Sequence, residues 1–197
     1  MGAVPFVGLT GGIGAGKSTA LAALERLGAV TLSSDAVVHE LYETAAVRDA
    51  VAGRFGDDVA PGGIVDRGML AERAFATAAG RTWLEHLIWP LVGSRIAEFR
   101  AESGRAEPGP RAAVVEVPLL FESGADHDFD ATIAVVADEA LRRRRAAGRG
   151  HRALRERGER QLSQDEKAAR ATYVVVNDGD IEELERKLSS VLDMLGG

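Results

Sequence analysis

Hydrophobic positions along the chain follow two rhythms. Short, nearly unbroken apolar runs fall at Val4–Thr10, Ala29–Leu32, Ala112–Val117, Ala131–Ala137 and Tyr173–Val176. Their length and β-branched content predict strands buried on both faces. Between them the spacing turns helical. Leu21, Leu24 and Leu27 share one face of a segment that starts at Lys17 and that Gly28 stops. A last helix is predicted from Ile181 to Leu195, after the turn Asn177-Asp178-Gly179.

From Ala36 to about Arg105 the pattern is helical, with breaks predicted at Gly53, at Gly56-Asp57-Asp58 and at Pro61-Gly62-Gly63. Leu84, Leu87, Ile88, Leu91 and Ile96 recur at helical intervals and are predicted to face a core, as are Trp83, Trp89 and Phe99. Pro90 is expected to kink or interrupt that helix. Strands separated by helices imply an α/β fold, with a mostly parallel five-stranded sheet covered on both faces. Ligands of such sheets bind at the carboxyl ends of the strands.

The 197 residues favour one compact domain with inserted subregions, and a composition 46% hydrophobic and 27% charged is that of an ordinary globular chain. The lack of cysteine excludes disulfide frameworks, cysteine-bound zinc and cysteine nucleophiles. With no signal peptide and no apolar run of membrane-spanning length in view, the expected address is the cytoplasm, away from any membrane. The four histidines show no metal-ligand spacing.

The net charge of −6 conceals an asymmetry. Positions 142 to 160 hold nine arginines against Glu156 and Glu159, a local surplus of seven positive charges that leaves −13 on the rest. Such a chain is a poor general nucleic-acid binder, but its basic segment suits a small polyanion.

The chemistry begins after the first strand. Gly11-Gly12-Ile13-Gly14-Ala15-Gly16-Lys17-Ser18 fits the phosphate-binding pattern G-x-x-x-x-G-K-[ST] in full, and Thr19 follows. Glycines let the backbone wrap phosphates with its N–H groups, and the following helix presents its positive end. Lys17 would reach the β- and γ-phosphates of a nucleoside triphosphate, and the Ser18 hydroxyl would hold Mg²⁺.

A phosphate loop alone admits GTPases, motor ATPases and small-molecule kinases. No Asn-Lys-x-Asp motif reads a guanine here, and the chain is short for a motor. A kinase needs a carboxylate for the acceptor hydroxyl and cations for the transferred phosphoryl. Asp35, closing the second strand, suits the first need, although the same spacing suits a plain helix N-cap. Glu116, ending the third strand, suits the water shell of Mg²⁺, or is simply a solvated strand end. The run Arg142 to Arg149 suits a lid over the phosphates, or a solvated basic helix face. Asn177 would line the nucleotide base or merely turn the chain. His39 and Tyr42 lie on the helix that Asp35 opens and would face the acceptor.

The whole arrangement resembles the dephospho-CoA kinases, P-loop enzymes that complete coenzyme A synthesis. The resemblance rests on Val7 to Thr19, Leu27-Gly28-Ala29, Ser34-Asp35-Ala36, Phe55-Gly56, Asp66 to Leu70, Ala74-Phe75, Leu84-Glu85 and Pro90-Leu91-Val92. It continues through Val117-Pro118-Leu119-Leu120-Phe121-Glu122-Ser123-Gly124, then Gln161, Lys167, Ala171 and Val174 to Gly179. Departures are Ser33 and Thr172, where the family usually has aspartates, and Trp89, where it has a histidine.

The resemblance implies a three-layer P-loop NTPase fold. Its core would comprise about 1–35, 111–139 and 171–197, with a helical acceptor-binding insertion at about 36–110 and a lid at about 140–165. It implies ATP-dependent phosphorylation of the ribose 3′-hydroxyl of dephospho-CoA to give CoA and ADP, by a monomer or weak homo-oligomer. Asp35 would take or orient the hydroxyl proton, and Gly12 to Thr19 would hold the ATP phosphates. Arg144 and Arg149 would stabilise the transferred phosphoryl, with Arg145 as the alternative partner of Arg149. His39, Pro118, Leu119, Leu120 and Glu122 would line the acceptor. Two alternatives stay open: a kinase of the same fold acting on a nucleoside or sugar, and a non-catalytic nucleotide sensor.

Overall fold

A computed structural model describes residues 3–147 and 161–196. All five predicted strands form. β1 (Phe6–Gly11), β2 (Val30–Ser33), β3 (Ala113–Glu116), β4 (Ala131–Val136) and β5 (Tyr173–Val176) make one sheet in the order β2-β3-β1-β4-β5, with every pairing parallel. β1 is buried along its whole length, as a central strand of apolar residues must be, whereas β5 at one edge is partly exposed.

Eight α-helices are described: α1 (Lys17–Arg26), α2 (Ser34–Glu43), α3 (Ala45–Phe55), α4 (Arg67–Phe75), α5 (Ala78–Arg105), α6 (Glu139–Ala146), α7 (Gln164–Arg170) and α8 (Ile181–Gly196). Alternation along β1 assigns the two faces of the sheet. Val7 and Leu9 join Leu24 of α1 and Leu184, Leu188 and Leu192 of α8 in one core. Thr10 points to the other face and meets Lys167 of α7. Helices therefore cover both faces, and the predicted three layers are present.

Residues 34–98 form a second compact unit with its own core of Val47, Val51, Val59, Val65, Leu70, Ala74, Leu84 and Ile88. Several local expectations fail here. α3 runs through Gly53, and the chain breaks instead at Thr44, whose side chain caps α3 by accepting from Val47 N. A glycine within a helix costs only about 1 kcal/mol, which a packed face offsets. α5 passes through Pro90 without interruption, since one missing N–H among its 28 residues removes a single ladder bond. Trp89 and Leu91, expected in the core, are exposed; the buried stripe instead follows Leu84 and Ile88, one turn apart, with Trp83 and Leu87 packed beside it.

Candidate active site

The phosphate loop joins β1 to α1 at the centre of the sheet. β1 has β3 on one side and β4 on the other, both parallel to it, and it is at the carboxyl ends of such strands that ligands of parallel sheets bind. Gly14 (φ 77°) and Gly16 (φ 94°) occupy the left-handed region that an L side chain resists. A Cβ on Gly14 would lie 2.4 Å from the Arg142 carbonyl oxygen, and one on Gly16 only 2.1 Å from Asn177 Nδ2. The loop thus needs glycine for both its turn and its tight neighbours.

Lys17 opens α1 and its Nζ donates to the carbonyl oxygens of Gly11 (3.1 Å) and Gly12 (3.3 Å), folding the side chain back over the loop. Ser18 and Thr19 are exposed in the first turn of α1. Asn177 is buried, and its Nδ2 donates to the Ala15 carbonyl oxygen at 2.8 Å. Glu116 ends β3 in register with Leu9 of β1 and Ser33 of β2, at the carboxyl edge of the sheet.

Asp35 is not the N-cap that its spacing suggested. α2 begins one residue earlier, at Ser34, and Asp35 stands within its first turn, half-buried, where the positive helix end favours a carboxylate. His39 lies on the exposed side of the same helix.

The arginine run divides by position. α6 is capped by Asp138, whose Oδ1 accepts from Ala140 N and Leu141 N. Arg142 and Arg145, one turn apart on α6, both turn to the P-loop side. Arg142 Nε donates to the Ile13 carbonyl oxygen at 3.0 Å, and Arg145 Nη1 to that of Asn177 at 3.1 Å. Arg144 lies on the exposed side of α6, and Arg149 falls outside the described residues. The sequence offers the whole run Arg142 to Arg149, with the family resemblance pointing to Arg144 and Arg149; only the direction of α6 shows that Arg142 is the one that meets the loop.

The root of α6 is held from two sides. Asp138 N donates to Asp178 Oδ1 at 2.6 Å, and the Gln164 amide bonds both the N–H and the carbonyl of Ala137. Two cavities adjoin the loop. One, of about 310 Å³, is lined by Gly12, Ile13, Arg142, Gln161 and Gln164 among others. The other, of about 280 Å³, includes Gly16, Thr19, Arg145, Asn177 and Asp180.

The segment after β3 is a tight turn. Leu120 is fully buried and packs against Gly8, so it backs this turn instead of lining a surface. Pro118 and Leu119 are half-buried. The Glu122 carboxylate is engaged within the protein: Oε1 accepts from Leu162 N (2.8 Å) and lies 2.8 Å from Lys167 Nζ.

A sequence profile of the dephospho-CoA kinase (CoaE) family matches residues 5–183. The chain belongs to the dephospho-CoA kinase family. Among its relatives, the dephospho-CoA kinase of Protochlamydia amoebophila is 34% identical over 193 residues, covering 96% of this chain and 95% of that one. That of Deinococcus radiodurans is 37% identical, covering 96% and 91%. A Thermus thermophilus protein of known crystal structure superposes over the whole of both chains with a TM-score of 0.81 at 31% identity. The dephospho-CoA kinase of Campylobacter jejuni shares the fold, with a TM-score of 0.69 at 24% identity over 97% of this chain and 96% of that one. The protein is thus a P-loop kinase in fold and in family. Among the described residues no helix is long and apolar enough to cross a membrane.

Proposed function

We propose that the protein transfers the γ-phosphoryl group of ATP to the ribose 3′-hydroxyl of dephospho-CoA, giving CoA and ADP in the last step of coenzyme A synthesis. Family membership across residues 5–183 carries this reading. The phosphate loop supports it by offering the anion site that such a transfer needs.

In this reading the amides of Gly12 to Thr19 and the Lys17 ammonium cradle the ATP phosphates, and Asn177 borders the nucleotide beside the loop. Asp35 orients the 3′-hydroxyl and receives its proton as the oxygen attacks phosphorus. Arg142, with Arg144 and Arg149 from the same basic segment, offsets charge on the transferred group. The Ser18 hydroxyl and the Glu116 carboxylate are hard oxygen donors, suited to Mg²⁺, which favours one or two protein oxygens beside phosphate and water. When bound, Mg²⁺ neutralises β- and γ-phosphate oxygens. The helical region, about 36–110, with His39 and the Pro118–Glu122 turn, forms the acceptor side, and the segment at about 140–165 forms the lid. We place the enzyme in the cytoplasm as a monomer or weak homo-oligomer that takes a small-molecule substrate and neither nucleic acid nor membrane.

The test is ADP release from Mg-ATP by the purified protein with and without dephospho-CoA, with mass detection of CoA. One ADP per CoA formed, and only in the presence of dephospho-CoA, is the expected result. ATP binding without acceptor-dependent turnover would sink the reading.

A further inference from the structure

Lys167 is one of three lysines in the chain and is fully buried on α7. An ammonium taken out of water is strongly disfavoured unless every N–H finds a partner. Here each does. Nζ donates to the Pro118 carbonyl oxygen at 2.8 Å and to Thr10 Oγ1 at 3.2 Å, and it pairs with the Glu122 carboxylate at 2.8 Å. The three acceptors belong to two places: the β1 residue that immediately precedes the phosphate loop, and the two ends of the Pro118–Glu122 turn.

A buried ion pair is a weak source of stability, because a well-packed apolar pair of similar volume usually does as well or better. What the pair supplies is geometry. The turn's internal bonds, Ser123 N to Leu119 O at 3.0 Å, Gly124 N to Phe121 O at 3.3 Å and Ala125 N to Leu120 O at 3.1 Å, shape it but do not anchor it to β1. Lys167 does, beside the backbone bond from Val117 N to the Leu9 carbonyl oxygen at 2.9 Å just before the turn and weaker contacts to the Pro118 carbonyl oxygen from Thr10 Oγ1 and Gln161 Nε2, each at 3.4 Å.

We propose that Lys167 is a positioning residue that sets the Pro118–Glu122 turn relative to the phosphate loop, with Glu122 acting through this ion pair instead of by touching the acceptor. The consequence for acceptor binding rests on the function proposed above. Removing the pair displaces the turn while leaving the loop's own phosphate contacts in place, so acceptor use suffers and nucleotide binding does not.

The experiment compares wild type with the double variant Lys167→Met/Glu122→Gln, which leaves no unpaired buried charge. Three quantities are measured: amide hydrogen exchange at Ser123, Gly124 and Ala125, the Kd for a non-hydrolysable ATP analogue, and the KM for dephospho-CoA. Faster exchange at those three amides, a KM raised about tenfold or more and an analogue Kd within about twofold are expected. Unchanged exchange overturns the proposal, and so does loss of analogue binding in step with acceptor use, which marks a merely structural role. Should the double variant not fold, Glu122→Gln alone carries the same readouts. Failure of wild type to phosphorylate dephospho-CoA would strike the proposed function, and the exchange data would still decide the part played by Lys167.

Discussion

Asn177 Nδ2 donates to the Ala15 carbonyl oxygen at 2.8 Å, bonding the end of the last strand to the middle of the phosphate loop. The two residues are 162 positions apart, so this bond closes nearly the whole chain upon the nucleotide site. The Arg145 contact to the Asn177 carbonyl oxygen extends the same connection to α6.

Gly16 lies directly against this bond. In Gly16→Ala the new methyl would fall 2.1 Å from Asn177 Nδ2, at a φ that itself disfavours a side chain by roughly 1–2 kcal/mol. Asn177 must leave Ala15 for the variant to fold. A lowered thermal midpoint together with loss of ATP binding by calorimetry is expected. Wild-type ATP affinity in a folded variant would show that the loop tolerates the displacement.

Asp35→Asn keeps the shape of the side chain and removes the carboxylate proposed to take the hydroxyl proton. General-base assistance contributes about 10²- to 10⁴-fold, so turnover should fall within that range while ATP affinity stays near wild type. Steady-state rates combined with calorimetric ATP binding check this. Turnover within tenfold of wild type would remove Asp35 from the chemistry.

Arg142 touches the phosphate loop, whereas Arg144 lies on the exposed side of α6. Arg142→Ala should lower kcat by about 10²-fold or more, as loss of one stabilising cation or donor commonly does. Arg144→Ala should have the smaller effect of the two. Parallel kcat measurements decide the order, and the reverse order would return the phosphoryl-binding role to Arg144.

The start of α7 carries a capping box. The Ser163 hydroxyl and then the Ser163 backbone N–H donate to Glu166, holding its carboxyl below the usual value of 4.5. A depressed folded-state pKa means that the charged form adds stability above the unfolded value, and that this is lost as pH falls through the folded one. Glu166→Gln should therefore be less stable than wild type at neutral pH, with the two converging in acid below that folded value. Denaturant titrations at both ends of the range test it. A constant gap at every pH would show that ionisation of Glu166 contributes nothing.

Much of the framework was legible without coordinates because its causes are local. Short, β-branched apolar runs such as Ala113 to Val115 and Ile133 to Val136, bounded by turns, suit strands covered on both faces. The glycine spacing before Lys17 encodes a backbone path that few other residues could follow. Within the helical region the same local logic misled, because Gly53 and Pro90 carry strong helix-breaking preferences that packing overrides. Asp35 shows a finer limit: a one-residue shift of the helix start moves it from cap to first turn, and only the hydrogen-bond ladder decides that.

By itself, then, the chain's order of residues determined the parallel sheet, the phosphate loop and the family, since each follows from patterns a few residues long or from motifs strung along the chain. The tertiary structure alone decided which arginine meets the loop, because Arg142 and Arg144 look alike until the direction of α6 is known. It alone revealed that Lys167 is buried, because the three acceptors that make burial tolerable come from positions 10, 118 and 122, far from it in sequence. Local preference acts over one or two turns of chain, whereas the pairing of a charge depends on which distant groups the fold brings within hydrogen-bond reach.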